Sequence, residues 1–310
     1  SAEHSLLLAR DRFGIKPLYW APIAGGGIAF ASEPKALFAS GLVAPDVDER
    51  AVPAYLAHGW VPAPMTLYKN VRKLPPGHLL KIDAEGRLTV RRYWSPRPAA
   101  DAPRSAEEAA EHLTALLRES VKLQLRSDVP LGVLLSGGVD SGLIAALAAS
   151  ELDRPLKAFT VRFEGAAYDE TPLAAEVAAR YGIAHTVLDV PARGIGDVLP
   201  RLAWYCDEPL ADASLLPNHL IEEALGREVT VVLNGTGGDE LFAGYGRYFP
   251  TTVERLYRLV PAVLRRSLIE PLVETFDPAT AWKLARAEKF ISDRGGYLHD
   301  HTTLFPRPLR

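Results

Sequence analysis

Residues 131–142 read LGVLLSGGVDSG. This stretch constrains the fold more than any other. An apolar run of strand length enters two serines, two glycines and an aspartate, and a helical pattern follows. Such a loop packs poorly, but a strand-to-helix turn places backbone N–H groups where a helix begins. Those groups have no intrahelical partner, and the helix dipole adds partial positive charge. Gly137 and Gly138 let the backbone approach an anion with no Cβ in the way, and Ser136 and Ser141 can donate to phosphate oxygens. Asp140 would repel a phosphate unless a divalent cation stood between them, and Mg²⁺ characteristically takes one or two carboxylates plus phosphate oxygens. No lysine follows the glycines, so this is not a Walker loop. The bland alternative is a plain strand-to-helix turn.

The surrounding pattern repeats the theme. PLGVLL, LKAFTVRF, AHTVLDV and VTVVLN are strand-like. Helical segments are expected at 142–152, 171–181, 195–205 and 214–226, with the last 65 or so residues mostly helical. Strands joined by helices imply a parallel sheet with helices on both faces, and ligands at the carboxyl ends of the strands. A helix from Ala106 to Leu125 precedes this block, with Ser105 as its N-cap. The run SPRPAADAPRS at 95–105 is linker-like. Before it, SLLLA, PLYWA, GIAFA and GHLLKI are strand candidates. Gly25–Gly27 suits a hairpin turn, and short helices are expected at 33–39 and 48–58, the second capped by Asp48. This half is expected to be β-rich.

A second glycine-dense loop follows VTVVLN. It reads NGTGGDELFAGY from Asn234. If its strand lies beside the first, Asp239 faces Asp140 across the crevice, and one cation can join both to a polyphosphate. The alternative for Asp239 and Glu240 is charge at a helix N-terminus.

Bulk properties set outer limits. The 310 residues suggest two domains, and the net charge of −3 gives no electrostatic case for nucleic acid. One cysteine, Cys206, cannot form an internal disulfide, which favours a reducing, cytoplasmic setting. No apolar run approaches membrane-span length, so no membrane is expected. The histidines lack metal-ligand spacing. The only methionine is Met65, and the opening SAEHSLLLARDRFG reads as a domain interior, so the chain is expected to be a piece of a longer protein.

Taken together, the motifs resemble a known family. SGGVDS is similar to the pyrophosphate loop of N-type ATP pyrophosphatases. NGTGGDELFAGYGRY resembles the second nucleotide loop of glutamine-dependent asparagine synthetases. RDRFGIKPLYW, FASEPKAL and GWVPAPMTLYKNVRKLPPGHLLKI resemble the C-terminal part of that family's glutaminase domain, and DEPLADASLLP matches a further segment. The resemblance runs in order from residue 6 to about 260. It implies an α/β fold: a parallel-sheet ATP pyrophosphatase (adenine nucleotide α hydrolase-like) domain at 106–310, C-terminally incomplete. A linker at 96–105 and the β-rich C-terminal part of an Ntn-hydrolase glutaminase domain at 1–95 would precede it.

The resemblance also implies a reaction. ATP adenylates the side-chain carboxylate of aspartate, pyrophosphate leaves, and ammonia from glutamine completes asparagine. The implied partners are thus small molecules, with a homodimer as the assembly to test. By position, Ser136, Gly137, Gly138, Asp140 and Ser141 would hold pyrophosphate. Asp140 and Asp239 would hold Mg²⁺. Leu134, Val161, Asn234 and Gly235 would line the adenosine site, and Asp11 would bind the glutamine amino group. Leu134 and Val161 could equally be buried strand residues, and Asp11 could pair with Arg10 or Arg12.

The sequence also departs from the family pattern. Ser1 is not the family's N-terminal cysteine nucleophile, so the chain as given should not hydrolyse glutamine. Cys206, in the other half, is expected to be a small buried residue. Thr236 stands where the family has a carboxylate acting on the incoming amine, and no candidate for the family's adenylation lysine can be assigned. Thr236 keeps other carboxylate-adenylating amidotransferases open, of β-lactam synthetase-like or peptide- or glycan-modifying type. A catalytically inactive binding homologue is the remaining alternative.

Overall fold

The structure is a computed structural model and describes residues 4–97, 105–164, 169–191, 195–245, 259–264 and 267–268. It divides into two compact units. The first gathers the described residues up to 97, those from 200 to 213 and those after 258; the second holds the described residues of 105–199 and 214–245. The expected C-terminal helices lie outside the described residues, apart from a helical turn at Ala262–Leu264.

The first unit contains two three-stranded antiparallel sheets. In one, β1 (Leu6–Ala9) pairs with β5 (His78–Ile82), which pairs with β6 (Leu88–Arg92). Leu8 sits opposite Leu80 in register, and both are buried with Leu74. Leu7, on the other face, is 61% exposed, the period-2 alternation of a half-buried strand. In the other sheet, β2 (Tyr19–Pro22) lies between β3 (Ile28–Ala31) and β4 (Arg72–Lys73). The turn between β2 and β3 takes left-handed backbone at all three glycines, with φ of 84°, 96° and 90° at Gly25, Gly26 and Gly27. Two strands escaped the sequence reading. β4 has only two residues, and β6, exposed along its whole length, offers just Leu88 and Val90 as alternating apolar positions.

Helix α1 (Pro34–Ala39) falls where expected. Helix α2 (Ala51–His58) starts three residues later than the Asp48 cap implied. Asp48 instead accepts from the Arg50 N–H at 3.1 Å and from its guanidinium at 2.8–2.9 Å. A local side-chain turn thus competes with the cap.

The second unit opens with α3 (Ala106–Gln124), whose N-cap Ser105 accepts from the Glu108 N–H at 3.2 Å. Then come β7 (Leu131–Leu134), α4 (Val139–Ser150), β8 (Lys157–Phe163), α5 (Thr171–Tyr181) and β9 (Ala184–Val190). After them come α6 (Ile195–Cys206), α7 (Leu215–Leu225), β10 (Val231–Leu233) and α8 (Gly238–Phe242). The strands form one parallel sheet in the order β10-β7-β8-β9. Alternate side chains serve opposite faces. Val133, Leu135 and Ala158 join a core with residues of α3, α4 and α5. Leu134, Phe159, Leu188 and Val232 join another with Ile221 and Leu225 of α7. Helices therefore cover both faces, the α/β architecture expected from the pattern.

Helix α6 contains Pro200, where the chain leaves the second unit for the first. Among the described residues, no helix is long and apolar enough to cross a membrane.

Candidate functional site

Leu135, just past β7, is held at both ends of its backbone. Its N–H donates to Phe159 O at 2.8 Å, and its C=O accepts the Thr160 hydroxyl at 2.6 Å. The next residue turns away from the sheet and starts the loop. Helix α4 begins at Val139, three residues earlier than expected, so Asp140 and Ser141 lie in its first turn. Gly138 is the N-cap and offers no side chain, so the hydroxyls do the work of shaping the loop. The Ser136 N–H donates to Ser141 Oγ at 3.1 Å, the two hydroxyls lie 2.8 Å apart, and the Gly138 N–H donates to Ser136 Oγ at 3.2 Å. Ser141 is buried and is also within reach of the Ser136 and Gly138 carbonyls. It braces the loop from inside.

Gly137 is glycine for a reason the sequence did not disclose. A Cβ there would come within 3.0 Å of Leu173 and 3.3 Å of Glu170, both at the start of α5. Its N–H donates to Glu170 Oε2 at 3.4 Å. The loop is therefore wedged against a neighbouring helix as well as being opened toward solvent.

The loop after β10 meets this one. β10 pairs in parallel with β7, Leu233 opposite Val133, so both crossovers leave the same carboxyl edge from neighbouring strands. Asn234 Oδ1 accepts the Thr236 N–H at 3.1 Å, and Gly237 takes φ 101°. A Cβ on Gly235 would lie 2.9 Å from Asp140 Cβ, and one on Gly238 would collide with the Asp140 carboxylate. The second loop thus closes directly over Asp140. Asp239 lies in the first turn of α8, its carboxylate against Gly244.

Beside the loops, a cavity of about 870 Å³ runs along the carboxyl ends of β7, β8 and β9. That size suits a small-molecule ligand. Of the expected site residues, Leu134, Ser136 and Val161 line it. Leu134 also packs, partly buried, against the α7-side core, so it serves as a strand residue as well as lining the cavity. Gly137, Gly138, Asp140, Ser141, Asn234, Gly235 and Asp239 belong to the adjoining loop pair.

The sequence reading missed Thr160, Arg162, Glu170 and Asp189 in the lining. Arg162 and Asp189 sit opposite each other in register and form a two-point ion pair at 2.7 and 3.1 Å. Each raises or lowers the other's proton affinity in the usual sense: the Arg162 guanidinium holds the Asp189 carboxyl below its ordinary value. The available signal was polar residues within two adjacent strands, which has no meaning until the register is known. Among the described residues, no group of three His, Cys, Asp or Glu side chains could enclose a metal ion by itself.

In the first unit, both oxygens of Asp11 accept backbone N–H groups, from Ile15 and Lys16 at 2.9 Å each. Burial pushes this carboxyl up, but the N–H groups of Lys16, Ile15, Gly14 and Phe13 outweigh it, and the net shift is downward. Arg10, considered as its partner, instead donates to the carbonyls of Lys16, Leu74 and Gly14.

The DEP segment lies in this unit too. Asp207 pairs with Lys35 at 3.1 Å and Glu208 with Lys73 at 2.8 Å, and both carboxylates are largely buried. Glu208 also accepts the Leu67 N–H at 2.7 Å, and Tyr68 OH donates to Asp207 O at 2.7 Å. Asp207 adopts left-handed backbone at φ 58°, which aspartate tolerates better than most residues. Cys206 is half-buried, and burial, then the Asp207 charge, push its thiol up, away from nucleophilic use.

Residues 112–303 match the family model described as asparagine synthase, and residues 1–94 match that of a glutamine amidotransferase domain. The chain is 35% identical over 272 residues to asparagine synthetase [glutamine-hydrolyzing] 1 of Bacillus subtilis, covering 86% of this chain and 42% of that protein. It is 40% identical over 274 residues to a putative asparagine synthetase [glutamine-hydrolyzing] of Mycobacterium bovis, with the same coverage of each. A third relative, from Methanocaldococcus jannaschii, is 33% identical over 270 residues, covering 84% of this chain and 51% of that one. The chain thus spans about half the length of these relatives. On the match over most of its second half, joined to an amidotransferase-type first part, the chain belongs to the asparagine synthase family.

Proposed function

We propose that this chain carries the ATP-using half-site of a glutamine-dependent amidotransferase. In the proposed reaction, the aspartate side-chain carboxylate attacks the α-phosphorus of ATP. Pyrophosphate departs, and ammonia derived from glutamine displaces AMP from the acyl-adenylate to give asparagine. The observation that carries this reading is the meeting of two crossover loops over Asp140, beside a cavity at the carboxyl edge of a parallel sheet.

Cleavage between the α- and β-phosphates builds charge on the departing pyrophosphate. Fixed donors aimed at that charge lower the barrier. In this reading the first-turn N–H groups of α4 and the Ser136 hydroxyl supply them. Ser141, whose hydroxyl is engaged inside the loop, keeps those donors in place as well as adjoining the phosphates. Leu134 and Val161 offer apolar surface to the adenosine, with Asn234 and Gly235 at its edge.

Asp140 and Asp239 fit Mg²⁺ in donor chemistry, because a cation that keeps several waters needs only one or two carboxylates beside phosphate oxygens. When bound, it would supply positive charge against the developing pyrophosphate. In the amidotransferase-type part, Asp11 is the residue proposed to hold the glutamine amino group. Each of its oxygens accepts one backbone N–H and retains acceptor capacity for an ammonium.

The decisive experiment is aspartate-dependent pyrophosphate release from ATP and Mg²⁺ by the full-length protein, run against other carboxylic acids. Dependence on aspartate is the expected result. Release with a different carboxylate overturns the substrate, and no release with any overturns the reaction.

A further inference from the structure

A hydrogen-bonded chain runs from β9 through β8 to the loop after β7. The Thr160 hydroxyl, almost fully buried in the middle of β8, donates its only hydrogen to Leu135 O at 2.6 Å. The same oxygen lies 2.7 Å from His185 Nε2 on β9. With its proton already committed, the hydroxyl can only accept from that nitrogen. His185 must therefore carry its proton on Nε2. Thr160 and His185 are neighbours because β8 and β9 pair with Ala158 opposite His185.

The chain ends at the phosphate loop. The Leu135 carbonyl shares a peptide plane with the Ser136 N–H, and peptide planes are rigid. Fixing the carbonyl fixes where that N–H points, which is at Ser141 Oγ, 3.1 Å away. The order His185, Thr160, Leu135–Ser136 peptide, Ser141 therefore ties the loop's first peptide to the third strand of the sheet. Hydrophobic packing alone would hold Leu135 without setting the rotation of that plane.

We propose that Thr160 and His185 are positioning residues for the phosphate loop, acting through the Leu135–Ser136 peptide on the N–H groups and hydroxyls that would grip the departing pyrophosphate. This rests on the reading of the loop as a nucleotide site. The test uses the full-length protein with Thr160→Val, which keeps shape and deletes the hydroxyl, and Thr160→Ser, which restores it. His185→Gln keeps a side-chain N–H, and His185→Phe deletes it.

Two readouts are needed. The first is hydrogen exchange of the 134–142 peptide without nucleotide, compared with a peptide from α3. The second is kcat and KM for ATP in pyrophosphate release. The expected result is faster exchange confined to the loop in Thr160→Val and His185→Phe. In Thr160→Val, kcat/KM for ATP should fall by about 10²-fold, the scale of a small misplacement of catalytic groups, with KM for aspartate unchanged. Thr160→Ser and His185→Gln should stay near wild type.

Unchanged loop exchange in Thr160→Val overturns the proposal. So does equal damage in Thr160→Ser, or exchange that rises equally in α3. If Thr160→Val does not fold, the His185 pair makes the same decision. If the loop loosens as expected but the wild type neither binds nor cleaves ATP, the positioning stands and the nucleotide reading falls.

Discussion

Two pairs of acidic residues in this chain have opposite fates. Asp140 and Asp239 come from glycine-rich crossovers, and Asp140 is surrounded by glycine backbone from the opposing loop, with no cation beside it among the described ion pairs. Asp207 and Glu208 are enclosed and neutralised by Lys35 and Lys73. The lesson is that a buried carboxylate with its own lysine is finished as structure. One set among glycines beside a cavity, with no lysine paired to it among the described residues, is the kind the proposed nucleotide site draws on. Glycine content already separates the two kinds of stretch in the sequence, but the lysines that neutralise Asp207 and Glu208 lie far away in the chain and are known only from the structure.

The largest effect that would break this contrast is expected at Asp140. Asp140→Asn should lower pyrophosphate release by about 10²–10³-fold, the loss typical for removing a fixed electrostatic contributor. The melting temperature should hardly move, since the side chain has no ion pair among the described residues. Retained activity in a steady-state assay would put Asp140 in the same structural class as Asp207.

Glu208→Gln should act the other way. It leaves Lys73 without its charge partner in a largely buried setting, which costs about 3–5 kcal/mol. Denaturant unfolding of the full-length protein measures this. The double variant Lys73→Met/Glu208→Gln should recover part of the loss. If Glu208→Gln lowers pyrophosphate release while unfolding is unchanged, the contrast fails from its other side.

Gly238→Ala sharpens the first half of the comparison. Its Cβ would collide with the Asp140 carboxylate, and overpacking of this kind costs about 1–3 kcal/mol. The stabilisation that saturating ATP and Mg²⁺ should confer, about 2.7 kcal/mol at a hundred times the dissociation constant, is expected to shrink. Calorimetry with and without nucleotide reads it.

The smallest effect is at Asp11. Its folded-state pKa is depressed, so the stability it contributes is fully present above the ordinary carboxylate value and is lost as pH falls through the folded one. Wild type should therefore exceed Asp11→Asn in stability near neutral pH. The difference should close below about pH 4. A gap that persists in acid would mean that the carboxamide fails for steric reasons rather than through charge.

Much was legible in advance. The β-α alternation, the boundaries of α5 and β9, the Ser105 cap and the glycine hairpin all follow from local rules: period, capping chemistry and permitted φ. These depend only on near neighbours in the chain. The family resemblance rests on motifs of the same local kind.

What local rules could not supply was everything that depends on which strand lies beside which. The pairing of β10 with β7 is a long-range event, and it alone brings Gly235 and Gly238 onto Asp140. The β8–β9 register sets Arg162 opposite Asp189 and, with His185 opposite Ala158, brings the His185 ring within 2.7 Å of the Thr160 hydroxyl. The DEP segment, inside the stretch that matches the asparagine synthase model, is held in the first unit by lysines more than a hundred residues away in the chain. Hydrogen bonds and ion pairs act over a few ångströms of space regardless of sequence separation, so their partners become known only when the chain has closed on itself.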